Sequence, residues 1–152
     1  MNKTSLLLTA ALISTIGSAY AQKPATVKLH AQIGTAIDWA GTVTSLAAGT
    51  NVIDTKKVKC AATNGCIVDV SSMAQVIADS DGQWSICVLV DSQQAAPGCP
   101  VQGVVPSSNY VVGNLKSNIL VQSGTHTVQM QVQMPSSGSI AAWQVDITLL
   151  KN

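Results

Sequence analysis

The sequence predicts an all-β protein: a single antiparallel β-sandwich, jelly-roll or immunoglobulin-like, held by two disulfides. Three observations carry that expectation. Apolar residues recur at every second position in several segments, the period of a strand with one buried face. Turn-forming clusters interrupt those segments at short intervals, as in a sandwich of short strands. Four cysteines follow an export signal, and an even number in an exported chain reads as disulfides.

The export signal occupies residues 1–21. Lys3 supplies the positive start, and residues 6–17 are apolar apart from Thr9, Ser14 and Thr15. Ser18-Ala19-Tyr20-Ala21 then places small residues where a signal peptidase needs them for a cut after Ala21. A membrane anchor would need about 20 apolar residues, more than this run provides. The sequence therefore predicts a cleaved signal peptide, one domain over residues 22–152, a secreted or periplasmic location and no membrane span after cleavage.

Strand signals fill that domain. Val27, Leu29, Ala31 and Ile33 alternate with Thr26, Lys28, His30 and Gln32. Trp84, Ile86, Val88 and Val90 share one face. Val128, Met130, Val132 and Met134 point one way and Gln129, Gln131 and Gln133 the other. Trp143, Val145, Ile147 and Leu149 alternate with Gln144, Asp146 and Thr148. Weaker strands are expected at 42–46, 51–60, 66–78, 101–105, 109–113 and 117–122, with one helical turn as an alternative at 71–78. The strands on either side of Pro135-Ser136-Ser137-Gly138-Ser139 read as a C-terminal hairpin.

Four cysteines allow three connectivities. Cys60 and Cys66 bracket a loop containing Asn64-Gly65, a strong turn signal, so a hairpin there would set them opposite each other. Cys87 and Cys99 remain, a pairing that needs an offset loop. The spacing favours 60–66 with 87–99. Each bridge closes a short loop and stabilises by roughly 2–3 kcal/mol in the chain-entropy account. Zinc frameworks prefer pairs two to four residues apart, which these gaps do not match.

Composition narrows the function. The chain has no Phe, Arg or Glu. Beyond residue 21, seven lysines (23, 28, 56, 57, 59, 116, 151) balance seven aspartates (38, 54, 69, 79, 81, 91, 146). A nucleic-acid site needs a cationic face, and the one lysine cluster, Lys56-Lys57-Lys59, is too small to supply it. Neutrality equally disfavours an anionic membrane surface.

The C-terminal stretch Ser123-Gly124-Thr125-His126-Thr127-Val128, with its amphipathic strand, Ser/Gly loop and final strand, resembles bacterial and phage jelly-roll modules of the C1q/TNF-like kind. The resemblance covers residues 123–152 and implies a jelly-roll fold; it brings no functional residues.

Catalytic chemistry finds little footing. There is no nucleophile elbow of the G-x-S-x-G type. His30 sits on a polar strand face, and His126 reads as a rim histidine bonded to a nearby carbonyl. Asp79-Ser80-Asp81-Gly82 opens like a calcium loop, but position five is Gln83 and position twelve Val90, so the motif fails. No metal, cofactor or catalytic residue is expected. The sequence thus points to an exported non-enzymatic structural or assembly module, whose partners are other chains met through sheet edges. The alternative is a carbohydrate-binding module, with a glycan as partner. Its candidate ligand-binding aromatics are Trp39 and Tyr110, because Trp84 and Trp143 fall in the core phase. A secreted hydrolase has the least support.

Overall fold

The computed structural model describes residues 31–36 and 43–152. The expected signal peptide, the first half of the 27–33 strand, His30 and Trp39 lie outside the described residues. The elements are β1 (Ala31–Ala36), β2 (Thr44–Leu46), β3 (Gly49–Cys60), β4 (Cys66–Ala78), β5 (Gly82–Val90), β6 (Gln93–Gln94), β7 (Val101–Val105), β8 (Val111–Val121), β9 (Gly124–Met134) and β10 (Gly138–Lys151). They form two five-stranded antiparallel sheets. The first runs β1-β10-β4-β8, with β2 also on β10; the second runs β3-β9-β5-β6, with β7 also on β5.

From β2 to β5 and again from β7 to β10, successive strands alternate between sheets. That alternation is the jelly-roll form of the double-sheet sandwich. It also corrects two expectations. The turn at Asn64-Gly65 does not make a hairpin, because β3 and β4 belong to different sheets. The segment after Met134 likewise carries the chain from β9 in one sheet to β10 in the other. Turn signals report local backbone geometry, such as the positive φ of Gly65 (87°) and its N–H bond to the Ala62 carbonyl (3.1 Å). They do not say whether the next strand pairs with the last or faces it. Residues 71–78 are strand throughout, with no helical turn, and 109–113 and 117–122 merge into β8.

Period two is read directly in burial. Val68, Val70, Ala74 and Val76 of β4 face Ile86, Val88 and Val90 of β5 and Val128, Met130 and Val132 of β9 across the sandwich, all buried. With no Phe, the core is built mainly of β-branched side chains, which suit a pleated half-buried surface. Each is worth about 1.5–3 kcal/mol when fully buried. Trp84, 2% exposed, fills the space beneath Gly113, where a Cβ would lie 2.6 Å from its ring.

Cys60 is bonded to Cys66, with Cα atoms 5.8 Å apart. Because β3 and β4 lie in different sheets, this bridge staples sheet to sheet. Cys87 is bonded to Cys99, with Cα atoms 4.5 Å apart. That bridge ties the 91–100 loop to β5, and the offset it needs comes from Asp91, Ser92 and Gly98, all with positive φ.

Candidate functional site

Two β-bulges face each other at one end of the sandwich. In β3 the register with β9 shifts between Val52 and Asp54, leaving Ile53 as the extra residue. In β10 the register with β4 shifts between Ile140 and Ala142, leaving Ala141. A bulge changes which face the following residues present. In β10 it lets both Ile140 and Trp143 turn inward, although they are three positions apart. Between the two bulged strands and β2 lies an open cleft of about 360 Å³.

One sheet supplies Thr44, Ser45, Leu46, Ile140 and Trp143 to the walls; the other supplies Thr50, Asn51, Val52 and Ile53. Trp143 packs against the core with one side and remains partly exposed in the cleft. The sequence places it in the core phase, and that phase is right. Its partial exposure comes from the bulge, which involves an ordinary alanine and carries no sequence signal. Asn51 is spent on structure. Its Nδ2 donates to the carbonyls of Ala47 (2.8 Å) and Gly49 (3.1 Å), and its Oδ1 accepts the Ala47 N–H (3.0 Å), fixing the β2–β3 turn. The cleft thus offers an indole, an aliphatic wall and the inner-face hydroxyl of Thr44, with no charged side chain among its described lining residues.

Of the two aromatics singled out in the sequence, Trp39 lies outside the described residues. Tyr110 is 40% exposed, and its hydroxyl is 3.2 Å from Ser139 Oγ. Ser139 precedes the inward-facing Ile140, so Tyr110 lies over the outer face of that sheet and not among the cleft-lining residues.

His126, the histidine among the described residues, has both ring nitrogens engaged. His126 Nδ1 is 2.6 Å from Asp91 Oδ2, and its Nε2 is 2.8 Å from the Gln122 carbonyl. The ring nitrogen that would take a nucleophile's proton therefore already has a carbonyl partner. Asp81 Oδ1 accepts the Ser107 N–H at 2.7 Å, and the Ser80 N–H donates to Ser136 Oγ at 3.0 Å, so the Asp79–Gly82 turn pins neighbouring loops. Among the described residues no group of three His, Cys, Asp or Glu side chains is placed to hold a metal ion.

The open sheet edges are also informative. The Ala96 N–H donates to the Asn118 carbonyl (2.9 Å), and the Asn118 N–H donates back to Ala96 (3.0 Å). Gln102 Oε1 accepts the Asn114 N–H at 3.1 Å. The edge of β8 is therefore plugged by the chain's own loop. On β3, the Thr55 N–H is taken by Asp54 Oδ1 at 2.8 Å, and Lys56, Lys57 and Lys59 crowd the strand. Both are ordinary devices against strand addition.

These features define a jelly-roll β-sandwich with a cleft between its sheets. No family model matches the chain, and no curated protein matches it. Solved structures do. Dimeric latent PorU from Porphyromonas gingivalis superimposes with a TM-score of 0.54 at 11% identity, over 87% of this chain and 14% of that one. This chain thus spans only a small part of PorU, and the likeness is one of fold. The sugar-binding EclA C-terminal domain aligns with a TM-score of 0.42 at 9% identity, over 84% of this chain and 89% of that one. A family 35 carbohydrate binding module from Clostridium thermocellum aligns with a TM-score of 0.37 at 6% identity, over 78% and 99%.

Proposed function

We propose that this chain is an exported, non-catalytic β-sandwich that binds a carbohydrate in the cleft walled by Trp143. The observation that carries the reading is the partly exposed indole held between two facing bulges. A sugar ring has an apolar C–H face that packs on an indole and a rim of hydroxyls that need polar partners, and aromatic walls with a few polar groups are what ligand clefts generally offer. Thr44, paired in register with the inward-facing Ile140, puts a hydroxyl on the inner face among the residues that line the cleft with Trp143. Trp39, five positions ahead of β2 in sequence, is proposed as a further aromatic contact to that ligand, and Tyr110 as a contact on the outer face, apart from the cleft. Export is proposed from the signal-like residues 1–21, with the two disulfides as support. An assembly role through sheet edges has less behind it, since the edges of β8 and β3 are occupied or charged.

The test is a glycan array followed by calorimetric titration of any ligand found. Trp143→Ala should weaken binding about tenfold, equivalent to roughly 1.4 kcal/mol, while Trp143→Phe should retain most of it. Melting curves of both variants separate lost affinity from lost folding. A folded protein that binds nothing across neutral and acidic glycans would end this reading.

A further inference from the structure

The pole opposite the cleft is built around His126. This residue lies on β9 in phase with buried Val128 and Met130, and its side chain is only 11% exposed. Its two ring nitrogens meet two acceptors: the Asp91 carboxylate at 2.6 Å and the Gln122 carbonyl at 2.8 Å. Neither acceptor can donate. A neutral imidazole carries one N–H and one lone pair, so one of the two contacts would set lone pair against lone pair. Both are hydrogen bonds only when the ring is the imidazolium.

The acceptors come from different parts of the chain. Asp91 follows β5 and has φ of 50°. Its Oδ1 accepts the Thr127 N–H at 2.8 Å, and its own N–H donates to the Thr127 carbonyl at 2.9 Å. Gln122 is in the turn from β8 to β9. The next residue, Ser123, donates its hydroxyl to the Cys60 carbonyl at 3.4 Å. One ring thus joins the turn after β5, the β8–β9 turn and, through that turn, the end of β3.

We propose that His126, Asp91 and the Gln122 carbonyl form a proton-operated latch, closed when the ring is an imidazolium and loosened at the β8–β9 turn when it loses a proton.

The surrounding charges fit this assignment. On β3, Val58 pairs with His126. Lys56 lies two residues along the same inner face and is itself 3.5 Å from Asp54. Lys57 and Lys59 alternate with these residues and point to the outer face. Gln122 and Ser123 are uncharged, and Lys151 ends β10 at this pole. Asp91 is the anion in direct contact. Its hydrogen bond raises the His126 pKa above the ordinary 6.5; burial opposes this, and the Gln122 carbonyl adds to it. The Thr127 N–H, and then His126, lower the Asp91 pKa below its ordinary 3.8.

The direction of the pH effect follows. A histidine whose pKa is raised on folding contributes stability that is complete below the unfolded value and is lost as pH rises through the folded one. The lowered Asp91 contributes stability above its unfolded value, lost as pH falls through its folded one. The latch is closed between these limits and opens on the alkaline side.

Side-chain ¹⁵N spectra of the whole protein test this without any variant. At pH 6 both nitrogens of His126 should be protonated. Its midpoint should lie above 6.5, and the amides of Gln122, Ser123 and Gly124 should shift with that same midpoint. The native protein should lose Tm between pH 6 and pH 9, and Asp91→Asn should return the midpoint towards 6.5 and flatten that fall. A neutral ring at pH 6, a midpoint at or below 6.5, or a titration that moves no amide of the turn would each overturn the latch.

Discussion

Gly113 and Trp84 depend on each other. Gly113 sits in β8 with nothing unusual in its backbone, yet a Cβ there would lie 2.6 and 2.7 Å from two atoms of the Trp84 ring and 2.9 Å from Gln102 Cγ. Trp84 is buried beneath it, so the indole has nowhere to move without disturbing the core. Gly113→Ala should therefore destabilise by about 1–3 kcal/mol, the usual cost of overpacking a filled core. A urea denaturation curve with unchanged slope and a lower midpoint is the expected result. A neutral outcome would mean that the ring has room to tilt. At the same scale, period two in the sequence already marks Trp84 as core and His126 as sharing a face with Val128. It does not reveal that Asp91, 35 positions away, is the histidine's partner, because that meeting is made by sheet pairing and the left-handed turn at Asp91 and Ser92.

Strands were easier to read than their pairings. An alternating apolar face is a local property, so β5, β9 and β10 stand out in sequence, and the weaker β3, β4 and β7 are also placed. Which sheet each strand joins is not local. Asn64-Gly65 and Pro135-Ser136-Ser137 look like hairpin turns, yet both carry the chain across the sandwich. The bulges at Ile53 and Ala141 were unreadable because neither is a glycine, and with them went the cleft. The β8 edge shows how elements depend on remote loops. Ala96 and Gln102 occupy backbone groups of Asn118 and Asn114, and the Cys87–Cys99 bond ties the 91–100 loop to β5. A double substitution of Cys87 and Cys99 to Ser should free that loop and open the β8 edge around Asn118. Unpaired edges template association, so the variant should elute partly as species larger than the native protein in size-exclusion chromatography. Gln102→Ala, which spares the disulfide, should do the same to a smaller degree. Elution unchanged from the native protein in both cases would show that neither the loop nor Gln102 is what guards the edge.

The proposed cleft and the proposed latch lie at opposite ends of the molecule. β3 and β9 run its full length, pairing Gly49 with Met134 at the cleft end and Cys60 with Gly124 at the latch end. With a rise of about 3.3 Å per residue, eleven steps separate the ends by ~35 Å. The Cys60–Cys66 bond staples the sheets at the latch end only. Replacing both cysteines by Ala removes a cross-link that the chain-entropy account values at roughly 2–3 kcal/mol, a large part of the 5–15 kcal/mol total typical of a small domain. The unfolded chain also becomes less constrained, so the denaturation slope should rise along with the fall in midpoint. Nothing at the bulges or Trp143 touches this bridge, and effects at sites this far apart usually add independently. Ligand affinity, measured well below the melting temperature, should therefore stay within about twofold of the native protein. The variant should also elute as the native protein does, in contrast to the Cys87/Cys99 pair, because no edge strand is uncovered. If affinity fell with stability, the strands spanning both ends would be transmitting the loss, and the cleft would have to be treated as one cooperative unit with the latch.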